Sequence, residues 1–308
     1  MLTFLTSLRH PLNSQNFGVV EKLFETSLKS VCGQRHDDFR VVVTCNSLPR
    51  ITFSDPRVIY HTVDFSPPSA LRCAQTGMNV VLRDKGTKLM AGLLLARQFN
   101  PEYIFIFDAD DLVSNRLAEY AHARPGTPGW YVDAGYTLNC QTARVQRKHG
   151  MVRYCGTTLM PSARELLRLS RANPKLDENS SQEELLAETA PGFVEHIMGD
   201  HPHVVSYFRN RGLRMRPLPF RAAAWVLATG ENHTGATLSK GYVPASAAFC
   251  REFSYDATIS APQAVSLRDT YLEWLQCVRS KLGARMADMR GHRPLPAVLQ
   301  SADVAESC

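Results

Sequence analysis

Apolar positions in the first third of the chain alternate between two periodicities. Leu2–Leu8 is a short apolar run of the kind a buried strand presents. The polar cluster Asn13-Ser14-Gln15-Asn16 then offers helix-capping side chains. Val19, Val20, Leu23, Phe24, Ser27, Leu28 and Val31 recur at helical spacing, with Gly33 placed to cap the end. Phe39–Thr44 is a β-branched strand, Val58–Val63 a weaker one, and Lys88–Phe99 a second helix rich in Leu, Met and Ala. Tyr103–Phe107, which reads YIFIF, is apolar throughout and ends in Asp108-Ala109-Asp110-Asp111. Strands apolar on both faces and separated by helices predict the α/β class, with a Rossmann-like, mostly parallel sheet flanked by helices. Ligands of such sheets bind beyond the carboxyl ends of the strands, and the acidic cluster falls at that edge.

The second half is less regular. Trp130–Tyr136 and Met151–Thr158 predict strands, Ala163–Arg171 a helix, and Asp177–Glu188 either a loop or a solvated helix. Ser266–Leu282 is amphipathic, with Leu267, Tyr271, Trp274, Leu275, Val278 and Leu282 on one face. Beyond Gly283, proline and charge punctuate the chain and predict a flexible tail.

Composition narrows the class. A chain of 308 residues that is 44% hydrophobic and 21% charged folds around a substantial core, as one large domain or two intimate ones. A net charge of +6 is too mild and dispersed for a nucleic-acid binder, but it suits polyphosphates, anionic glycans or an acidic membrane surface. The eight cysteines include no C-x-x-C pair, which argues against a zinc ribbon or a redox pair. The apolar start is too short for a signal-peptide core, and no run approaches a membrane span. The expectation is a cytoplasmic protein with no transmembrane segment, with peripheral membrane contact left open.

The acidic cluster carries the chemistry. Side chains repeat every second residue along a strand, so Asp108 and Asp110 point into one cleft, with Asp111 close behind. Carboxylates so packed repel one another unless a cation sits among them, and hard oxygen ligands suit Mn²⁺ or Mg²⁺. Such an ion is commonly shared with substrate phosphates. The bland alternative is a solvated acidic loop or a helix cap.

Two stretches together resemble the glycosyltransferase-A fold of the family 2 type. They are Lys85-Gly86-Thr87-Lys88-Leu89-Met90-Ala91-Gly92-Leu93 and Tyr103–Phe107 with Asp108-Ala109-Asp110-Asp111 behind it. The resemblance covers residues 1 to about 120 well and the rest loosely. It implies a nucleotide-sugar-binding half over 1–125, an acceptor-binding and catalytic-base half of the same domain over 126–283, and the tail over 284–308. It implies that Asp108, Ala109 and Asp110 serve the diphosphate and that Asp108 and Asp110 hold the metal. Lys85 and Lys88, in a glycine-containing loop opening a helix, would lie near ribose or phosphate, where a helix N-terminus favours an anion. Thr6, Ser7 and Arg9 would approach the nucleotide base. The aspartate that such proteins commonly place after the second strand is replaced here by Thr44-Cys45-Asn46, leaving Asn46 or Asp64 to hold the base or ribose.

Inverting transfer needs a general base for the acceptor hydroxyl. Gly199-Asp200-His201, with Gly212 beyond, resembles the family's acidic pair before a helix, with His201 on the position of the usual base. Asp200 is favoured, alone or sharing the work with His201. A zinc cluster of His196, Asp200, His201 and His203 is disfavoured because Pro202 interrupts any helix there. In Glu231-Asn232-His233-Thr234-Gly235, His233 is the candidate late ligand to the metal. Trp130, Asp133, Tyr136 and the stretch Tyr154–Thr158, with Gly156 and Thr157, would line the acceptor side. The implied enzyme is an inverting, metal-dependent hexosyltransferase, with a UDP-sugar the favoured donor and a hydroxyl of a glycan, lipid-linked or small-molecule acceptor as the target. The Q-x-x-R-W signature of processive synthases is missing, and Ser7–Pro11 has no glycine of the kind a nucleotidylyltransferase loop needs. A catalytically inactive nucleotide-sugar- or glycan-binding relative is the competing reading.

Overall fold

The computed structural model describes residues 1–69, 77–231, 241–257, 266–289 and 295–301. In chain order its strands are β1 (Leu2–Ser7), β2 (Phe39–Cys45), β3 (Val58–Thr62), β4 (Tyr103–Ile106), β5 (Leu112–Val113) and β6 (Gly129–Tyr131). The remaining strands are β7 (Ala134–Asn139), β8 (Arg144–His149), β9 (Leu159–Pro161), β10 (Arg216–Pro217), β11 (Ala223–Leu227) and β12 (Val243–Pro244). The helices are α1 (Phe17–Cys32), α2 (Met78–Ala96), α3 (Leu117–His122), α4 (Ala163–Ser170), α5 (Gln182–Ala187), α6 (Val204–Asn210), α7 (Ala247–Glu252), α8 (Leu267–Met289) and α9 (Ala297–Ser301).

Seven strands form the main sheet in the order β10-β6-β9-β4-β1-β2-β3. Strands β4, β1, β2 and β3 run parallel, as does β10 with β6, while β9 is antiparallel to both its neighbours. The class is therefore the α/β fold expected. Burial on both faces is visible residue by residue. Leu5 and Val42 enter one core with Leu89, Met90, Leu93 and Leu94 of α2, whereas Phe4, Val41 and Val43 enter the other with Phe24, Leu28 and Val31 of α1. The Asn16 side chain caps α1 by accepting from the Gly18 N–H, and Gly33 ends that helix without a left-handed turn. After β3 the chain returns to the far side of β1 as β4, so the sheet order reverses between β1 and β4.

A second sheet, β12-β8-β7-β11-β5, is built from the later part of the chain together with β5, and only its β11–β7 pair is parallel. The expected strand Trp130–Tyr136 is split between the sheets, ending in the first at Tyr131 and starting in the second at Ala134. The expected strand Met151–Thr158 is a 3₁₀ turn over Met151–Arg153 followed by irregular backbone, with extended pairing only from Leu159. Its side chains are drawn instead onto Asp111, to which Cys155 and Thr157 both donate. Ser181 and Glu184 form a capping box that resolves Asp177–Glu188 into a turn and a short helix.

The described part of the expected tail over 284–308 is helical and packed. Helix α8 runs on to Met289, and Leu295 and Leu299 are buried in the core that α2 also fills. Among the described residues no helix is long and apolar enough to cross a membrane. The described cysteines Cys32, Cys45, Cys140, Cys155, Cys250 and Cys277 are free.

Candidate active site

The reversal of strand order opens a crevice beyond the carboxyl ends of β1 and β4, the position where open α/β sheets hold ligands. A cleft of about 270 Å³ occupies it, near the lower end of small-molecule sites. Ser7 and Arg9 line it from β1, and Asp108, Ala109 and Asp110 from β4. Asp84 and Lys85 reach it from α2, Gly199, Asp200 and His201 from the segment before α6, and Tyr154, Gly156, Trp225 and Glu231 from the second half.

Two glycines bring the halves together. A Cβ on Gly86 would stand 2.1 Å from the Val194 carbonyl oxygen, and one on Gly199 2.2 Å from that of Leu82. Helix α2 and the π-helical turn Val194–Met198 therefore touch backbone to backbone, which carries Asp200 to the Lys85 side of the cleft. Lys85 consequently sits well inside α2, not in a loop at a helix start, because α2 begins at Met78. The helix-terminus argument for an anion there does not hold, and the ammonium itself supplies the positive charge.

The three aspartates differ in what they meet. Asp108 accepts a short charge-assisted hydrogen bond from Lys85 Nζ. Burial pushes the Asp108 carboxyl up, but Lys85, helped by His201, overrides this and holds it below the usual carboxylate range. Burial likewise works against charge on Lys85, and Asp108, with a smaller share from Asp200, more than offsets it. Among the described residues Asp110 gains no such partner. Burial and the adjacent Asp108 push its carboxyl up to about 6. Asp111 is buried below the cleft, where it accepts from Thr157 Oγ1 at 2.6 Å, Val226 N–H at 2.9 Å and Cys155 Sγ at 3.1 Å. It ties the two sheets together. Burial, then Asp110 and Asp108, raise its carboxyl well above the ordinary range.

The oxygen-only donor set of Asp108 and Asp110 suits Mn²⁺ or Mg²⁺, and the raised carboxyl of Asp110 marks negative charge that a cation relieves. No group of three or more His, Cys, Asp or Glu among the described residues is placed to hold a metal. An ion fits here as one shared with phosphate oxygens and water, in the manner of Mg²⁺ sites. A Cβ on Gly156 would lie 2.4 Å from Asp108 Oδ2, so the bare backbone at that position keeps room for this carboxylate. His233 lies outside the described residues.

Several residues expected in the site lie elsewhere. Lys88 is wholly buried, donating to Asp84 Oδ2 at 2.9 Å and to the Leu8 carbonyl at 3.1 Å, and cannot reach a ligand. Burial depresses its pKa, with Asp84 resisting in part. Thr6 is buried and spans β1 and β4 by donating to the Phe107 carbonyl at 2.7 Å. Asn46 donates to the carbonyls of Val63 and Phe65, so it fastens the chain after β3 and does not face the cleft. Asp64 lines a separate cavity with His61 and Glu178. Trp130 packs in the core against Tyr103 and Tyr120, Tyr136 against Phe249 and Phe253, and Asp133 faces His149 at 3.7 Å. Thr157 is buried beneath the cleft, accepting from the Asp108 N–H at 2.9 Å. His201 Nδ1 and His203 Nε2 each stand 3.9 Å from an Asp200 carboxylate oxygen.

The sequence reading missed Asp84 and Trp225. Asp84 Oδ1 is buried at the cleft with no hydrogen-bond partner among the described residues, a state visible only once Lys88 is seen to take Oδ2. Trp225 sits in the apolar run of β11, which reads as core. Glu231 was noted only as part of a polar loop. It is buried and accepts from Arg9 Nη1 and the Asn16 N–H, both at 2.9 Å, which draws Arg9 against α1.

No protein-family model matches this chain, and no curated protein matches it. It is similar to the crystal structure of S. aureus TarS 1–349 in complex with UDP-GlcNAc, with 12% identity and a TM-score of 0.38 over 77% of this chain and 62% of that one. It is also similar to the crystal structure of S. aureus TarS 1–349, with 11% identity and a TM-score of 0.36 over 92% of this chain and 80% of that one. The chain thus spans less than two thirds of the first of these structures.

Proposed function

We propose that the chain is an inverting glycosyltransferase that takes a sugar from a nucleoside-diphosphate donor, a UDP-sugar, and passes it to an acceptor hydroxyl with Mn²⁺ or Mg²⁺ as cofactor. The observation that carries this reading is the meeting of Asp108, Asp110, Lys85 and Asp200 on one cleft at the reversal of strand order. Asp110 is the principal carboxylate for the cation, because Asp108 is already committed to Lys85. A bound divalent ion supplies neutralisation of the diphosphate charge as the leaving group departs.

The chain's own groups do the rest. Ser7 and Arg9 border the nucleoside end. Lys85 keeps Asp108 ionised and presents positive charge to the phosphates. Asp200 takes the proton of the acceptor hydroxyl as its oxygen bonds to the anomeric carbon and the bond from that carbon to the diphosphate breaks. The His201 backbone N–H donates to Asp200 Oδ1 at 3.0 Å and holds the carboxylate, with the His201 and His203 rings beside it. Trp225 and Tyr154 offer aromatic surface for the sugars.

Donor hydrolysis and transfer, assayed across a panel of UDP-, GDP- and TDP-sugars with Mn²⁺, test the reading. Asp200→Asn is expected to keep donor affinity and lose transfer by about 10²-fold or more. Transfer retained in that variant would move the base to His201.

A further inference from the structure

Helix α8 carries its apolar stripe on the outside. Leu267 is 90% exposed, Tyr271 58%, Trp274 52%, Leu282 53% and Met286 48%, although all are large apolar or aromatic side chains. At about 100° per residue these positions, with the half-buried Leu275 and Val278, fall within roughly one third of the helix circumference. The opposite side of the helix faces the protein and carries its polar contacts. Glu273 is buried and takes Arg147 in a two-point ion pair, Asp269 meets Arg144 at 2.9 Å, and Ser280 accepts from the His149 N–H. The apolar stripe expected from the sequence therefore points away from the body that α8 packs on.

The charges on the helix sort the same way. Asp269 and Glu273 turn inward to arginines of β8, while Arg268, Arg279 and Lys281 are exposed along the edges of the stripe and Arg285 is exposed within it. Tyr271 lies in the middle of the stripe and stacks on Trp274 at one edge of it, with ring centroids 6.2 Å apart. An exposed apolar arc carrying amphipathic aromatics and flanked by basic residues is the composition of a helix that lies in a bilayer interface. A second copy of this helix fits less well, because a symmetric pair would bring the same basic edges together.

We propose that the outer face of α8 is a membrane-docking surface for a bilayer containing anionic lipid. The apolar stripe enters the boundary between headgroups and acyl chains, and the arginines and lysine meet the lipid phosphates. The inner side of α8 reaches toward the candidate active site, because Arg153 donates to the Ala284 carbonyl and its neighbour Tyr154 lines the cleft. The inference does not depend on the chemistry proposed for that cleft.

Flotation of the full chain with vesicles of phosphatidylcholine, with and without phosphatidylglycerol, tests it. The chain is expected to float with the anionic vesicles and to be released by high salt. Trp274→Glu combined with Leu282→Glu, at exposed positions, is expected to lower partitioning by about tenfold or more. Arg279→Glu combined with Lys281→Glu, which alters no apolar contact, is expected to abolish the preference for anionic vesicles. Circular dichroism and thermal melting confirm that each variant is folded. No flotation of the wild-type chain overturns the proposal, as does equal flotation of folded variants. A dimer in sedimentation velocity that the Trp274 and Leu282 substitutions disperse, without any flotation, assigns the face to a second copy instead.

Discussion

Asp108, Asp110 and Asp111 adjoin one another in sequence, and their surroundings send them to different ends. Lys85 neutralises Asp108, Asp111 is spent on joining β11 to the segment carrying Thr157, and Asp110 is left facing the cleft with its proton affinity raised. The raised value has a consequence for stability whose sign is fixed. The Asp110 carboxyl titrates near 6 in the folded chain against 3.8 ordinarily, so between those values the folded state holds a proton the unfolded state has lost. Stability therefore falls as pH rises through that window, and the full cost is present above about 6. Asp110→Asn removes the charge, and its apo form is expected to melt a few degrees above wild type near neutral pH, on the order of 2 kcal/mol, with the difference vanishing at about pH 4. Thermal melts across pH check this. The alternation that aims Asp108 and Asp110 at one cleft was legible from YIFIF and the residues after it. That Asp111 faces the interior was not, because its partners Cys155, Thr157 and Val226 come from segments far along the chain.

Helix α2 shows why element boundaries were harder to read than elements. Arg83-Asp84-Lys85-Gly86 looks like a polar turn ahead of an apolar helix, yet it lies inside the helix. The tertiary contact decides: Gly86 is demanded by the Val194 carbonyl, and Lys88, polar in the sequence, is buried by its pairing with Asp84. Local pattern carries neither fact. The same contact delivers Asp200 to the cleft that Lys85 and Asp108 share. Gly86→Ala meets backbone and not a yielding side chain. It is expected to cost about 1–3 kcal/mol in denaturant unfolding and to lower transfer more than donor affinity, as the turn before Asp200 is pushed away from α2. Equal stability of the variant would mean that the two segments are not held in contact. Strands fared better where both faces were apolar, as in β1, β2 and β4. They fared worse from residue 130 onward, where short strands in two sheets share one apolar run.

At the scale of the whole molecule, two cores cover the faces of the main sheet and a third serves the second sheet, with the cleft where the halves meet. The C-terminal segment belongs to the first core, since Leu299 is fully buried there and its carbonyl accepts from Arg211. Leu299→Ala is expected to lower stability by about 2–5 kcal/mol in denaturant titration, whereas a loose tail would show no change. Charge and proline in that region gave the appearance of fraying because only a few apolar residues anchor it. The central claim concerns the cleft itself, that Asp110 brings a divalent cation and a nucleoside diphosphate together at the reversal of strand order. Calorimetric titration of UDP and UDP-sugars into wild type and Asp110→Asn, each with and without Mn²⁺, tests it most directly. Binding by the wild type is expected to strengthen at least about tenfold with Mn²⁺, and the Asp110→Asn variant is expected to stay folded but lose the metal-dependent part. Nucleotide binding that is indifferent to Mn²⁺ in the wild type, or unchanged in the variant, would contradict it.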